Sequence, residues 1–216
     1  MLYMHTIVKY FPVISGDPPY SRDDHVPVQS NFTKNDHNQI SEDLKKAFYE
    51  NCKDSSDVTI KCEDKEFYCH QFMLAARSPV FKVMLQTNMK EKETGSINID
   101  DFTNDVVEKM LLFIYTGIAP EIDEHVNDLL NIAEKYELHQ LKVSVGEKLV
   151  PILNNENCIE YLTLGNLYNV SALKEASLKL IKCNVKSIMK KENWKKELEI
   201  LPSPLVCEIM EAILMM

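Results

Sequence analysis

The chain has 216 residues, of which 45% are apolar, and 24 basic against 33 acidic side chains give a formal net charge of −9. This length and composition are sufficient for the hydrophobic core of one large or two small domains. The acidic balance argues against nucleic-acid binding, which needs clustered lysines and arginines. The six cysteines form no CxxC pair and have no histidine at zinc-ligand spacing, so we expect no metal ion and no cofactor.

The first twenty residues lack the pattern of a secretion signal, because Lys9 and Pro12 interrupt their apolar stretch. No segment approaches the roughly 18–20 consecutive apolar residues of a membrane-spanning helix. We therefore expect no membrane association and a location in the nucleus, the cytoplasm or both. In such a reducing compartment the cysteines are expected to be free thiols.

Residues 1–39 are rich in proline and polar side chains, which indicates an irregular or partly disordered arm. A short strand over residues 6–13 fits the pattern, although no partner strand lies nearby. Regular structure is predicted to begin at Ile40, where apolar residues at helical spacing indicate an amphipathic helix that ends near Cys52.

The middle of the chain reads as a mixture of short strands and helices. Residues 57–62 and 65–69 alternate as two strands of a hairpin, and Ile97 with Ile99 marks a third strand. Helices are predicted over residues 70–86, interrupted at Pro79, and from Thr103 to Gly117. From about residue 123 onward only helices are predicted.

Residues 128–142 and 160–174 are an internal repeat. The matched positions, each offset by 32 residues, pair Leu130, Tyr136, Leu138, Leu141 and Lys142 with Leu162, Tyr168, Val170, Leu173 and Lys174. Each copy describes a helix, a turn after the tyrosine and a second helix. A single helical hairpin cannot cover its own apolar face, so the two hairpins are expected to stack on each other.

Several motifs in this order resemble the BTB/POZ domain: HQFMLAARSPVF at 70–81, MKE at 89–91, FIYTG at 113–117 and DLLNIAEKYELHQLK at 128–142. The likeness runs from about Ile40 to the C-terminus and is strongest to the BTB-BACK half of the speckle-type POZ (MATH-BTB) family. It implies an α+β fold, with a BTB domain over residues 40–150 and a helical BACK-like extension over residues 151–216. The 39 residues before it are too few for the MATH β-sandwich that holds substrates in that family.

The resemblance implies dimerisation through the first helix, either with a second copy or with a related BTB protein. The corresponding apolar positions are Ile40, Leu44 and Phe48, with Met73 beside them. One additional residue between Leu44 and Asp57 leaves open whether residue 47 or residue 48 faces the partner. The alternative is that the apolar stripe lies on the chain's own core.

The resemblance also implies a binding site for cullin-3, the scaffold of a ubiquitin ligase, in the loop after the Pro79 helix. Adaptors of this family present a hydrophobic residue, any residue and a glutamate there, and Met89, Lys90 and Glu91 match this spacing. A methionine side chain adapts to a pocket, and a glutamate adds a directional charged contact. The protein substrate of such a ligase is not indicated by the sequence.

Three further residues are interpreted as structural. His70 follows Cys69 directly, but neighbours along a strand point to opposite faces, which disfavours a nucleophile and base pair. Asp57 is expected to fix local hydrogen bonds, and Trp194 is expected to be a core anchor of the C-terminal helices.

Two other functions compete with the adaptor. An enzyme is disfavoured because the sequence has no P-loop, GxGxxG, GxSxG or HExxH motif, and we predict no catalytic residue. A BTB protein that only oligomerises, and so regulates full-length adaptors without recruiting a substrate, remains open and would not need Met89 and Glu91. A transcription factor is a third possibility, although no zinc-finger spacing follows the BTB-like segment.

Overall fold

A computed structural model describes residues 34–50, 53–86, 94–122 and 125–214, with side chains from residue 38 onward. The first part contains α1 (Lys34–Glu50), β1 (Val58–Cys62), β2 (Lys65–Cys69), α2 (Gln71–Arg77), α3 (Pro79–Gln86), β3 (Ser96–Asn98) and α4 (Asn104–Thr116). The second part contains α5 (Val126–Lys135), α6 (His139–Leu149), a 3₁₀ turn (Val150–Ile152), α7 (Cys158–Leu167), α8 (Ser171–Ile188), α9 (Trp194–Glu199) and α10 (Ser203–Leu214).

The three strands form one small sheet in the order β2-β1-β3, in which β1 pairs antiparallel with β2 and parallel with β3. Alternate residues of β1 are buried, which is the pattern of a sheet with one face on the core. The β1–β2 register pairs Cys62 with Lys65 and Val58 with Cys69. The two cysteines therefore do not face each other across the hairpin, and both are buried free thiols.

A proline and a glycine mark helix boundaries at the positions that the sequence predicts. Pro79 occupies the first position of α3, where its missing N–H costs no hydrogen bond. Gly117 ends α4 in a left-handed conformation with φ 70°, and its N–H donates to the carbonyl of Phe113 at 2.8 Å. The predicted strands, the break between α2 and α3 and the helix before Gly117 are confirmed.

The first helix starts earlier than predicted. It begins at Lys34 instead of Ile40, so residues 34–39 are helical and do not belong to an irregular arm. Hydrophobic periodicity could not show this turn, because residues 34–39 are all polar. The strand suggested for residues 6–13 lies outside the described residues.

Two apolar clusters hold the fold together. The larger one joins the sheet, α1 to α6 and the turn region of the α7–α8 hairpin, where Leu164, Val170 and Leu173 are buried in it. The smaller one joins α7 and α8 to α9 and α10. Residues from Lys34 onward form one compact unit. The boundary between the BTB domain and the BACK-like extension, placed between residues 150 and 151 from the sequence, therefore stays a prediction.

The two repeats form helical hairpins, as expected. The α5–α6 and α7–α8 hairpins both turn through a left-handed residue, Glu137 with φ 52° and Asn169 with φ 55°. The hairpins meet closely, because a Cβ atom added to Gly146 of α6 would lie 2.2 Å from Cγ1 of Val170. Their stacking is confirmed.

Candidate functional site

The residues predicted to contact a second copy differ in exposure. Ile40 is 47% exposed, whereas Leu44 is half-buried on the same face of α1. Met73 of α2 is also half-buried and packs against the main core. These three residues leave part of their apolar surface accessible, so their role in a dimer stays a prediction.

Phe48 lies in the chain's own core. Its side chain is only 7% exposed, and its ring centroid lies 5.2 Å from that of Tyr115 on α4. The hydroxyl of Ser41 donates to the carbonyl of Thr116 at 3.0 Å, which fixes α1 on α4 at a second point. The prediction that Phe48 faces a second copy is therefore corrected: α4 covers the C-terminal end of α1, and this part of the apolar stripe lies on the chain's own core. The neighbouring Ala47 is exposed.

Sequence reasoning missed the most exposed aromatic residue of this region. Phe72 on α2 is 78% exposed and directly precedes Met73. The sequence alone does not show this exposure, because it follows from the burial of Leu74: a residue two positions away points to the opposite side of a helix. Phenylalanine is enriched in protein–protein interfaces, so Phe72 is a candidate contact residue.

A hydrogen-bond network fixes the start of α2. His70 Nε2 lies 3.1 Å from the carbonyl of Ser55, which can only accept, so the neutral ring carries its hydrogen on Nε2. His70 Nδ1 then accepts from the hydroxyl of Tyr115 at 2.9 Å, and the backbone N–H of His70 donates to the same hydroxyl. Asp57 Oδ1 accepts from the backbone N–H of Gln71 at 2.7 Å. Asp57 fixes local hydrogen bonds as predicted.

Cys69 and His70 do not form a nucleophile and base pair. Burial raises the pKa of the Cys69 thiol to about 12, so the thiolate is scarce near neutral pH. Both ring nitrogens of His70 are occupied by Tyr115 and Ser55. The role of these residues is to hold β2, α2 and α4 together.

The predicted cullin-binding residues Met89 and Glu91 lie outside the described residues. In the sequence they come shortly after α3, which ends at Gln86. The first turn of α3 forms one wall of a groove of about 440 Å³. The groove is lined by Ala75, Arg77, Pro79, Lys82, Phe113 and His139, among others. The guanidinium carbon of Arg77 lies 5.4 Å from the ring centre of Phe113. The groove therefore has a cationic and an aromatic side chain next to each other.

Trp194 is 5% exposed and belongs to the smaller apolar cluster, as predicted for a core anchor. Among the described residues, no group of three or more His, Cys, Asp and Glu side chains is arranged to hold a metal ion. No helix in the described ranges has the length and apolarity needed to cross a membrane.

The family model of the BTB/POZ domain matches residues 47–153. This range contains the sheet, the α2–α3 pair and the helices up to the 3₁₀ turn. Together with the small three-stranded sheet and the surrounding helices, the match defines the class of this domain. The chain contains a BTB/POZ domain, which is followed by further helices.

Two solved structures are among those that resemble this fold. The BTB domain of zebrafish PATZ1 is 17% identical, with a TM-score of 0.44, and the match covers 55% of this chain and 95% of that one. The BTB domain of human gigaxonin is 19% identical, with a TM-score of 0.44, and the match covers 54% of this chain and 92% of that one.

Proposed function

We propose that this protein is a BTB adaptor of the speckle-type POZ (MATH-BTB) kind, which dimerises and recruits cullin-3 so that a bound protein becomes ubiquitinated. The BTB/POZ match over residues 47–153 supports a role in protein binding. The adaptor itself performs no chemistry in this proposal and acts in the nucleus or the cytoplasm. Its substrate is a protein of unspecified identity.

The observation that carries the proposal is the exposed apolar surface of α1 and α2. Ile40 is 47% exposed and Phe72 is 78% exposed, while Leu44 and Met73 extend the same kind of surface. A second copy or a related BTB chain would remove these side chains from water. Such a two-fold interface is self-complementary, because each side chain meets the same patch on the partner.

The cullin contact is supported by the position of Met89 and Glu91 in the chain. They follow α3 directly, and α3 also forms a wall of the groove that contains Arg77 and Phe113. In this proposal the scaffold also contacts the groove beside the first turn of α3, which has both apolar and cationic side chains. This arrangement suits a partner with mixed apolar and acidic character.

Capture of purified cullin-3 by the immobilised full chain tests this part of the proposal. Met89→Ala combined with Glu91→Ala should weaken cullin-3 binding by at least about tenfold, since an interface anchor typically contributes more than about 1.4 kcal/mol. Lys90→Ala, at the residue between them in the sequence, is the matched control and should bind as the wild type does. Circular dichroism and thermal unfolding should be unchanged in both variants.

Unchanged capture by the double variant would reject the assignment of Met89 and Glu91. A wild-type chain that dimerises but does not bind cullin-3 would reject the adaptor. That second result would instead identify an oligomerisation partner of other BTB proteins.

A further inference from the structure

A groove of about 310 Å³ lies between the 3₁₀ turn and α8, far along the chain from Met89. We name it the α8 groove; its lining residues are Val150, Leu153, Ala176, Lys179, Leu180, Cys183 and Asn184. Four of these seven side chains are aliphatic. The groove therefore offers an apolar floor with a polar margin.

The floor of the α8 groove is part of the packed fold. Val150 packs against the larger apolar cluster, Leu180 packs against the smaller one, and Leu153 contacts both. All three are only half-buried, so each presents part of its surface to the groove. A floor held by two cores loses little conformational freedom when a ligand covers it.

The helix α8 is kinked at Asn184, one of the residues that line the groove. Asn184 departs from helical geometry, with φ −117° and ψ 19°. Its Nδ2 donates to Oδ1 of Asn155 at 3.0 Å, which ties the kink to the loop after the 3₁₀ turn. The shape of the groove is thus fixed by a specific polar contact.

One flank of the groove is basic although the whole chain has a formal net charge of −9. Lys179 lines the groove, and Lys182 and Lys186 follow it on α8 at spacings of three and four residues, with Lys186 beyond the kink at Asn184. Lys179 and Lys186 are exposed and take part in no ion pair within the part of the chain that the structure describes. Glu175 is the acidic residue at the beginning of this flank.

We propose that the α8 groove is a docking site for an acidic amphipathic segment of a partner protein. Apolar side chains of the segment would cover Val150, Leu153 and Leu180, and its carboxylates would lie beside Lys179 and Lys186. Apolar burial supplies affinity in such a site, while the charges select the ligand and fix its direction. The complementary charge distinguishes this occupant from a basic or neutral segment.

The reactivity of Cys183 reports directly whether the groove is occupied. It is exposed and lines the groove, whereas the exposed Cys207 lies on α10 and serves as an internal reference. The probe is a helical peptide of about four turns with leucines at i, i+3, i+4 and i+7 and glutamates beside them. A second peptide has lysine at every glutamate position. Mass spectrometry follows alkylation of each cysteine by iodoacetamide, a neutral reagent.

The acidic peptide should slow alkylation of Cys183 at least about fivefold at saturation and leave Cys207 unchanged, because a covered thiol reacts only after dissociation. The lysine peptide should protect neither cysteine. Equal rates at Cys183 with and without the acidic peptide would overturn the proposal, and equal protection by both peptides would overturn the acidic character of the ligand. Protection that depends on protein concentration alone would show that a second copy occupies the groove.

Charge reversal tests the basic flank. Lys179→Glu combined with Lys186→Glu should weaken binding of the acidic peptide by at least about tenfold. Lys195→Glu combined with Lys196→Glu is the matched control, because these exposed residues lie on α9 and the change in net charge is the same. Equal weakening in both variants would reject the groove as the docking site.

Discussion

The two helical hairpins, α5–α6 and α7–α8, show how one local pattern is used in two environments. Their turns are the same: the N–H of Leu138 donates to the carbonyl of Ala133 at 2.7 Å, and that of Val170 donates to the carbonyl of Gly165 at 2.8 Å. Every one of these residues is related to its counterpart by the offset of 32. The local sequence therefore sets the backbone of both turns.

The same offset relates the polar contacts across each hairpin. Lys142 Nζ forms an ion pair with Glu134, and Lys174 Nζ donates to Oδ1 of Asn166 at 3.0 Å. Lys174 additionally forms an ion pair with Glu208 of α10, at 2.8 Å. The second lysine therefore also holds the C-terminal helix.

The hairpins differ in what covers them. Tyr136 is 1% exposed and stacks on Phe81 of α3, with ring centroids 4.4 Å apart. Its carbonyl accepts a hydrogen bond from the hydroxyl of Ser78 at 2.7 Å. Tyr168, the equivalent residue, is only half-buried. The repeat thus encodes the turn, while neighbouring elements decide how much each tyrosine contributes to stability.

The largest expected difference between the hairpins concerns these tyrosines. Tyr136→Ala should lower the free energy of unfolding by about 3–5 kcal/mol, because it leaves a cavity under Phe81. Tyr168→Ala should cost about 1–2 kcal/mol, because less of that ring is removed from water. Urea unfolding of both variants measures the difference. Equal losses would show that burial does not distinguish the two hairpins.

A smaller effect is expected where the second hairpin packs more tightly. The first hairpin has Ala133 where the second has Gly165, and a Cβ atom at Gly165 would lie 2.6 Å from the backbone nitrogen of Lys174. Gly165→Ala should therefore destabilise the fold by about 1–3 kcal/mol, since the two helices must separate.

The control on the same helix is Leu167→Ala, at a residue that is 62% exposed. It should change the unfolding free energy by no more than about 0.5 kcal/mol. Thermal unfolding compares the two variants. A Gly165→Ala variant as stable as the control would contradict the close contact.

The smallest effect concerns the left-handed turn residues. Glu137→Gly should stabilise the chain by about 0.5–1 kcal/mol, because glycine adopts a positive φ without a Cβ clash. Asn169→Gly should change stability less, since asparagine tolerates this conformation better than glutamate does. Chemical denaturation of both variants gives the comparison. A larger gain at Asn169 would contradict this explanation.

Sequence patterns predicted the fold where the determinants are local. The position of Pro79 separates α2 from α3, Gly117 ends α4, and the offset of 32 identifies both hairpins. The first turn of α1 was missed because residues 34–39 contain no apolar residue to mark a helical face. Helix formation there depends on extension from the packed part of α1.

The candidate surfaces were predictable only in part, because exposure depends on distant contacts. Periodicity placed Phe48 on the same stripe as Ile40 and Leu44, but Tyr115 of α4 covers Phe48. Predicting the exposure of Phe72 requires knowing that Leu74 is the residue of α2 buried in the core. The α8 groove arises from the meeting of two apolar clusters at Leu153, which no local pattern reveals.

Dimerisation through α1 and α2 is the central claim of this account, and the molar mass in solution tests it most directly. Light scattering at micromolar concentration should give twice the 24.9 kDa of one chain. Leu44→Asp should give a single-chain mass, because an unpaired carboxylate buried between two copies costs several kcal/mol. Asn38→Asp, on the exposed side of α1, should remain dimeric. A wild-type chain that scatters as a monomer, or a dimer that Leu44→Asp leaves intact, would contradict the claim.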